Sequence, residues 1–195
     1  AMSERQITTD GVSRPLPSPF LVIATQNPFE HHGTYPLPES QLDRFLVRLS
    51  IGYPDRETER RIVAMRGLDD KVDVRVEAVA TPEEVLAAQE AVDAVAVPDA
   101  VMDYAMDLVA ETRASGAVEV GISTRGAVGL VAASRAAAAL AGRTYCLADD
   151  VKRVFVPSCA HRLVLRSRPA SGTSSREEAA AILTDILGRT PVPGD

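Results

Sequence analysis

The sequence predicts a small α/β portion, made of parallel-sheet strands and a β-hairpin, followed by an all-α helical subdomain. Three observations indicate this class. Residues 5–14 alternate around Asp10-Gly11, a dipeptide that favours two-residue hairpin turns. Residues 20–25, FLVIAT, form an unbroken apolar run of the length that a buried parallel strand takes. Beyond residue 53, apolar residues recur at helical spacing nearly to the end.

The β portion contains one further predicted strand. Residues 45–53, FLVRLSIGY, are expected to form it, with Arg48 facing outward. Two strands and a hairpin cannot bury both faces of residues 20–25, because a central strand needs neighbouring strands on each side and helices above and below. The pattern is therefore expected to be the latter half of a larger α/β unit.

The helical part has clear start and stop signals. Thr81, Pro82 and Glu84 form the pattern of a capping box with proline at the first helical position. Gly142 ends a long alanine-rich helix, and Pro157 is expected to bend the next one. The predicted helices cover residues 55–67, 81–92, 98–113, 123–142, 147–165 and 174–188, with a small-residue linker over 166–174. In the third of these helices, one face carries Val101, Tyr104, Ala105, Leu108 and Val109.

Composition excludes several classes of protein. The chain has 195 residues, 46% hydrophobic and 25% charged, as in ordinary globular proteins. A net charge of −6 and a pI near 5.2 argue against a dedicated nucleic-acid or anionic-membrane binder. No run of 18 apolar residues exists, and residues 1–11 lack the apolar core of a secretory signal. Cys146 and Cys159 match no metal or disulfide spacing, so buried reduced thiols and a cytoplasmic location are expected.

Three polar residues require an explanation beyond packing. Asn27 ends a buried apolar run, where a polar group needs a partner. Taken locally, Asn27-Pro28 favours a turn, and Arg44 in LDRF suits a surface ion pair. Arg125 lies in the first turn of a predicted helix, where the helix dipole disfavours a cation unless an anionic ligand is nearby.

The longest specific string is IATQNPFEHHGTYPLPESQLDRF, residues 23–45. Together with GISTRGAVGLVAASRAAAALAGRTYCLADDVK and AHRLVL, it resembles the MoxR family of AAA+ ATPases. The resemblance runs from just after the Walker B segment through the lid subdomain and covers essentially the whole chain. It implies three parts: the C-terminal part of the AAA+ α/β core over 1–53, a helical lid over 54–168, and a linker with the last helix over 169–195.

The resemblance also implies roles for the three polar residues. Asn27 corresponds to sensor 1, which orients the attacking water near the γ-phosphate. Arg44 corresponds to the arginine finger, which reaches the ATP of a neighbouring subunit. Arg125 corresponds to sensor 2, through which the lid contacts the γ-phosphate in its own subunit. The family usually has proline and alanine around this arginine, whereas this chain has Thr124 and Gly126. The hairpin at Asp10-Gly11 corresponds to the insertion before sensor 1.

One family motif is missing from the 195 residues. No GxxxxGK[ST] pattern occurs, and no strand ending in paired acids precedes residue 19. The piece is therefore expected neither to bind ATP tightly nor to hydrolyse it, whereas its parent would use ATP and Mg²⁺. The alternative is a non-catalytic partner-binding module derived from an AAA+ lid. A helical DNA-associated module is a third candidate, which the acidic balance disfavours.

The resemblance implies partners as well. The parent would assemble into a ring, hexameric by family habit, and remodel or mature client proteins, with von Willebrand factor A domains or metalloproteins as expected clients. No nucleic acid, membrane or protein-bound metal is predicted. Adjacent loop histidines such as His31 and His32 are usually solvated, and His161 is expected to pack in the helical core.

Overall fold

The computed structural model describes residues 6–9, 11–26, 37–65, 76–167 and 172–193. Its elements are β1 (Gln6–Thr9), β2 (Val12–Pro15), α1 (Glu39–Leu42), α2 (Arg56–Met65), α3 (Pro82–Asp93), α4 (Asp99–Ala114), β3 (Val118–Val120), α5 (Thr124–Leu140), α6 (Ala148–Cys159), a 3-10 turn (Ala160–Arg162), β4 (Val164–Leu165) and α7 (Gly172–Arg189). The order confirms a small β-containing part followed by a helical subdomain. None of these described helices has both the length and the hydropathy needed to cross a membrane.

The predicted hairpin forms. β1 and β2 pair antiparallel, with Thr9 opposite Val12, so that two residues connect the strands. Gly11 has φ +76°, a conformation that glycine adopts without steric cost. All residues of both strands are exposed. Asp10, the other turn residue, lies outside the described residues.

The two predicted parallel strands are not strands in this structure. Residues 20–26 and 45–53 are extended or irregular and pair with no other described segment. Leu21 and Ile23 are about 80% exposed, and Ile51 is fully exposed. An apolar run becomes a central strand only when neighbours take up its backbone hydrogen bonds, and no such neighbour is present among the described residues.

Part of the second segment makes different backbone contacts. The N–H of Arg48 donates to the carbonyl of Pro157 at 2.9 Å, and the carbonyl of Phe45 binds side chains of the 3-10 turn. Arg48, expected to face outward, is half-buried. Burial, followed by the nearby positive charge of Arg176, lowers the pKa of Arg48. Residues 45–48 are therefore held against the helical subdomain.

The six predicted helices form close to their predicted positions, with corrections at α6 and α7. α7 begins at Gly172, inside the linker predicted over 166–174, and the short helix α1 was not predicted. The capping box of α3 is complete: the Thr81 N–H donates to Glu84 Oε2 at 2.7 Å, and the Glu84 N–H donates to Thr81 Oγ1 at 3.2 Å. The helix predicted over 147–165 ends at Cys159, soon after Pro157, and continues as the 3-10 turn. Residues 164 and 165 then pair antiparallel with β3, which the sequence did not predict.

The hydrophobic core lies between α4, α5, α6 and α7. The predicted face of α4 is buried throughout, and Leu108 and Val109 have no exposed surface. The core also contains Leu130 of α5, Phe155 of α6, and Leu183 and Ile186 of α7, all fully buried. Cys146 and Cys159 are free and buried, as expected. The candidate site lies against this packed bundle.

Candidate functional site

The structure describes two of the three predicted site residues, Arg44 and Arg125. Asn27 lies outside the described residues, although its neighbour Gln26 accepts a hydrogen bond from Arg176 of α7 at 3.2 Å. Arg44 follows α1, and Arg125 lies in the first turn of α5; both side chains are exposed. The structure brings the segments around Arg44 and Arg125 into direct contact.

Buried contacts to α4 fix the start of α5. The hydroxyl of Thr112, fully buried, donates to the carbonyl of Val109 and accepts the N–H of Ile122 at 3.1 Å. The carbonyl of Ile122 accepts from Nε of Arg113 at 2.9 Å. A Cβ on Gly121 would lie 2.8 Å from the Arg113 backbone, so the close approach requires glycine there. The residues leading into α5 are therefore held against α4 as far as Ile122, three positions before Arg125.

Ser123 caps α5 and connects it to the LDRF segment. Its Oγ accepts the N–H of Gly126 at 3.0 Å and lies 3.1 and 3.2 Å from the two carboxylate oxygens of Asp43, to which it donates. The first turn of α5 contains no acidic residue of its own. Asp43, 80 positions earlier in the chain, supplies the negative charge that a helix amino terminus favours.

Arg162 lies between the two segments. Its side chain is only 3% exposed, and Nη1 lies 3.3 Å from Asp43 Oδ1, whereas Nη2 donates to the carbonyl of Phe45 at 2.6 Å. The two partners immediately precede and follow Arg44. Asp43, Phe45, Ser123, His161 and Arg162 are called the Arg162 junction below.

His161 completes the Arg162 junction. Its Nε2 lies 2.9 Å from the carbonyl of Phe45 and must carry the proton, because a carbonyl oxygen only accepts. Burial lowers the pKa of His161, and the charges of Arg162 and Arg48 lower it further, whereas the Phe45 hydrogen bond and Asp43 oppose this shift. His161 is therefore neutral at pH 7.

Glycines in α5 provide the space for the buried guanidinium. A Cβ on Gly126 would lie 2.7 Å from Ile122 Cγ2 and 3.0 Å from Arg162 Nη1. A Cβ on Gly129, one turn later, would lie 3.1 Å from Arg162 Nη2. The departure from the family pattern at Gly126 therefore has a local reason, because alanine there would collide with Ile122 and crowd Arg162. The helix still begins at Thr124, with the Ser123 cap.

Arg125, Arg162 and Asp43 are the charged groups near the amino terminus of α5. Burial lowers the pKa of Arg162, and the nearby charge of Arg125 lowers this pKa further, whereas Asp43 raises it. Arg162 nevertheless stays charged, because a guanidinium does not lose its proton in proteins. Arg125 and Arg162 thus lie close together near the amino terminus of α5, and Asp43 pairs with Arg162. Among the described residues, no group of three or more His, Cys, Asp or Glu side chains could hold a metal ion.

The Ser/Thr cap predicted at the start of the helix over 123–142 is confirmed as Ser123. Sequence reasoning missed Arg162 and the contacts that Asp43 makes with Ser123 and Arg162. One signal was available: Arg162 stands beside the apolar run LVL, and a charge in a buried segment requires a partner. The identity of that partner could not be read from the sequence, because 119 positions separate Arg162 from Asp43.

Comparisons with known proteins agree on one family. Residues 1–47 match the family described as ATPase family associated with various cellular activities (AAA), and residues 110–186 match the AAA lid domain. The chain is 39% identical over 173 residues to Chaperone MoxR1 of Mycobacterium tuberculosis, a match that covers 84% of this chain and 45% of that protein. It is 35% identical over 193 residues to the uncharacterized protein YeaC of Bacillus subtilis, covering 99% of this chain and 59% of YeaC.

A solved structure agrees as well. The crystal structure of a protein from Cytophaga hutchinsonii, described as a "putative ATPase", superposes with a TM-score of 0.79 at 30% identity, over 97% of this chain and 59% of that one. The chain thus spans about half the length of the relatives it matches. The match to the AAA and AAA lid families, the likeness to MoxR1 and the shared fold lead to one conclusion: this chain belongs to the MoxR family of AAA+ ATPases.

Proposed function

We propose that this chain supplies sensor 1, the arginine finger and sensor 2 of a MoxR-type ATPase that couples Mg-ATP hydrolysis to chaperone-like remodelling or maturation of partner proteins. In this proposal Asn27 orients the attacking water, Arg125 contacts the terminal phosphate in its own subunit, and Arg44 contacts the nucleotide of a neighbouring subunit. Assembly into a ring, a cytoplasmic location and clients such as von Willebrand factor A domains or metalloproteins belong to the same proposal.

The observation that supports it best is the contact between the two arginine-bearing segments. Asp43, next to Arg44, accepts a hydrogen bond from Ser123, which caps the helix of Arg125. Both arginine side chains remain exposed while the backbone around them is tied to the bundle. Catalysis of phosphoryl transfer depends mainly on positioned groups that neutralise charge on the transferring phosphate, and rigidly supported guanidinium groups suit that task.

The residues present suit the phosphate better than the metal. An exposed guanidinium in the first turn of a helix without acidic residues complements an anion. Mg-ATP would supply the phosphoryl group and the metal that neutralises part of its charge. The described residues offer no metal ligand set, so no step is assigned to them through Mg²⁺.

ATP binding is the first test. Labelled ATP is titrated against the 195-residue chain and against a longer chain that carries a P-loop ahead of Ala1. Binding is expected only in the longer chain, because the backbone cradle and lysine of the P-loop hold the phosphates. Tight binding by the 195 residues alone would refute the dependence on a P-loop.

The second test measures ATP hydrolysis by rings of the P-loop-bearing chain in which Arg44 is replaced. Arg44→Ala is expected to lower kcat on the order of 10³-fold or more and to spare nucleotide binding. Arg61→Ala, which removes an exposed arginine of α2, is the matched control and should leave kcat unchanged.

Mixed rings then show whether Arg44 acts between subunits. Subunits without the P-loop lysine but with Arg44 should restore hydrolysis to Arg44→Ala neighbours. Lack of rescue would contradict a role across the subunit interface. If the P-loop-bearing chain binds ATP but neither Arg44→Ala nor Arg125→Ala changes its rate of hydrolysis, the result would favour the alternative of a non-catalytic partner-binding module.

A further inference from the structure

We propose that Arg162 is the positioning residue for Arg44: its buried guanidinium holds the residues on both sides of Arg44 against the lid, so that the exposed Arg44 side chain projects in a fixed direction. This inference rests on the proposed function of Arg44. It assigns a task to a residue of the lid that lies outside the three motif positions.

The contacts of Arg162 bracket Arg44. One nitrogen of the guanidinium meets the carboxylate of Asp43 at 3.3 Å, and another meets the carbonyl of Phe45 at 2.6 Å. A planar guanidinium presents its donors at fixed angles, so two simultaneous contacts fix both position and orientation. The backbone on each side of Arg44 is thereby held, whereas the Arg44 side chain stays exposed.

A second donor reinforces this arrangement. The Phe45 carbonyl accepts from Arg162 Nη2 and from His161 Nε2, which occupies both of its lone pairs. Three residues further on, the N–H of Arg48 binds the carbonyl of Pro157. All three lid groups come from the end of α6 and the 3-10 turn, so the segment after Arg44 is attached to one place in the bundle.

Two glycines of α5 leave space for the guanidinium of Arg162. Gly126 and Gly129 face Arg162, and a Cβ on either would come within 3.0–3.1 Å of its terminal nitrogens. Side chains larger than hydrogen at these two positions would push the guanidinium toward the LDRF segment. Most real Cβ atoms keep a larger distance, so a Cβ at either position would require the guanidinium to shift by a few tenths of an ångström.

Fixing Arg44 matters because catalysis tolerates little displacement. A misplacement of about 1 Å by a change remote from the chemistry can lower a rate by about 100-fold. A flexible segment would present Arg44 in many directions, only some of which reach a neighbouring nucleotide. Arg162 therefore acts through Arg44, and its effect should appear in the neighbouring subunit.

The test uses mixed rings of the P-loop-bearing chain. One subunit type carries Arg44→Ala and an intact P-loop; the other lacks the P-loop lysine and supplies Arg44. Adding Arg162→Met to the second type is expected to lower the rescued kcat by about 100-fold with little change in KM for ATP. Arg162→Lys should rescue poorly as well, because an ammonium cannot reproduce the two-sided contact. Arg135→Met, another partly buried arginine farther along α5, is the control and should rescue fully.

A second variant covers the case in which Arg162→Met does not fold. Gly129→Ala keeps Arg162 and favours the helix, but its Cβ would lie 3.1 Å from Arg162 Nη2, so we expect the guanidinium to shift by a few tenths of an ångström. It should reduce rescue in the same mixed rings while thermal unfolding shows an intact bundle. Full rescue by Gly129→Ala together with full rescue by Arg162→Lys would overturn the proposal.

Hydrogen exchange separates this proposal from the proposed function. In the full chain, Arg162→Lys should accelerate exchange of the backbone amides of residues 44–48, and Arg135→Met should not. If Arg44→Ala leaves hydrolysis intact, the proposed function fails, and faster exchange still supports the attachment by Arg162. If Arg44→Ala abolishes hydrolysis but Arg162→Lys neither accelerates exchange nor reduces rescue, the positioning role fails alone.

Discussion

His161 illustrates how one buried side chain connects two distant parts of the chain. It is 9% exposed, and its Nε2 proton binds the carbonyl of Phe45, 116 positions away. Among the described residues its Nδ1 has no hydrogen-bond partner, so protonation there would create a buried, unsatisfied donor. Arg162 and Arg48 add positive charge nearby, and Asp43 provides the opposing negative charge. The Arg162 junction therefore requires a neutral imidazole.

This requirement predicts that the protein loses stability on acidification at pH values above those at which its carboxylates titrate. The folded-state pKa of His161 lies below its ordinary value of 6.5, so the unfolded chain binds the proton first as pH falls. The free energy of unfolding should therefore decrease as pH falls below about 6.5, until the folded-state pKa is reached. Urea unfolding of the wild type and His161→Gln between pH 7.5 and 5 measures this, and the variant should depend less on pH.

Two carboxylates with shifted pKa values titrate at lower pH than His161, so the effect of His161 on stability can be measured separately. The pKa values of Asp150 and Asp55 are lowered from 3.8, chiefly by hydrogen bonds from Arg143 and Thr58 respectively. Their contributions to stability are present above about 3.8 and are lost only as pH falls below it. An equal loss of stability in the wild type and His161→Gln between pH 6.5 and 5 would contradict the assignment to His161.

Among the secondary-structure elements, α5 is defined at both ends by local signals. Ser123 caps its start, and a Schellman motif ends it: the N–H of Arg143 binds the carbonyl of Ala138, and the N–H of Gly142 binds that of Ala139. Gly142 has φ +74°, the left-handed conformation that this motif needs. Arg143, the next residue, then pairs with the carboxylate of Asp150 at the start of α6. The end of one helix thus sets the start of the next.

Gly142→Ala is expected to lower the free energy of unfolding by about 1 kcal/mol, because a Cβ is disfavoured in the left-handed region. Gly188→Ala is the matched control, since Gly188 lies in the last turn of α7 and an added Cβ would meet nothing within 4 Å beyond its chain neighbours and the backbone of its own helix. It should instead raise stability by about 0.5–1 kcal/mol through helix propensity. Thermal and urea unfolding measure both changes; equal effects would show that backbone conformation at Gly142 is unimportant.

The element level also shows where sequence patterns mislead. The apolar runs over 20–25 and 45–53 have the composition of strands, but a strand exists only when another segment completes its hydrogen bonds. Helices need no such partner, which explains why α2 to α7 form close to their predicted positions. β3 and β4 were missed because three and two residues carry too little periodicity to predict.

Across the molecule, stability is concentrated in the bundle of α4 to α7. Its buried residues form one cluster, whereas α2 and α3 bury none. Large apolar side chains also remain exposed on residues 20–23, 46–53 and 62–65. Apolar burial is the main favourable contribution to folding, so unfolding of the bundle should control global stability.

Phe155→Ala should therefore lower the free energy of unfolding by about 3–5 kcal/mol, because a fully buried ring leaves a cavity. Leu140→Ala is the control, since Leu140 is 90% exposed and should change stability by less than about 0.5 kcal/mol. Thiol labelling reports the opening: Cys159 is fully buried, and burial raises its pKa to about 12. Labelling of Cys159 should be faster in Phe155→Ala than in Leu140→Ala; equal rates would contradict a shared opening of the bundle.

Much of this architecture follows from signals that act within a turn or two of the chain. The capping box of α3, the buried face of α4 and the glycine that ends α5 could be predicted because each depends on residues that are close together in the sequence. The string from residue 23 to 45 likewise indicated the family. By contrast, Arg162 meets Asp43 and Phe45 across 119 and 117 positions. Such pairings arise only when packed helices bring remote segments together, because a buried charge takes its partner from the surrounding space and not from its neighbours in sequence.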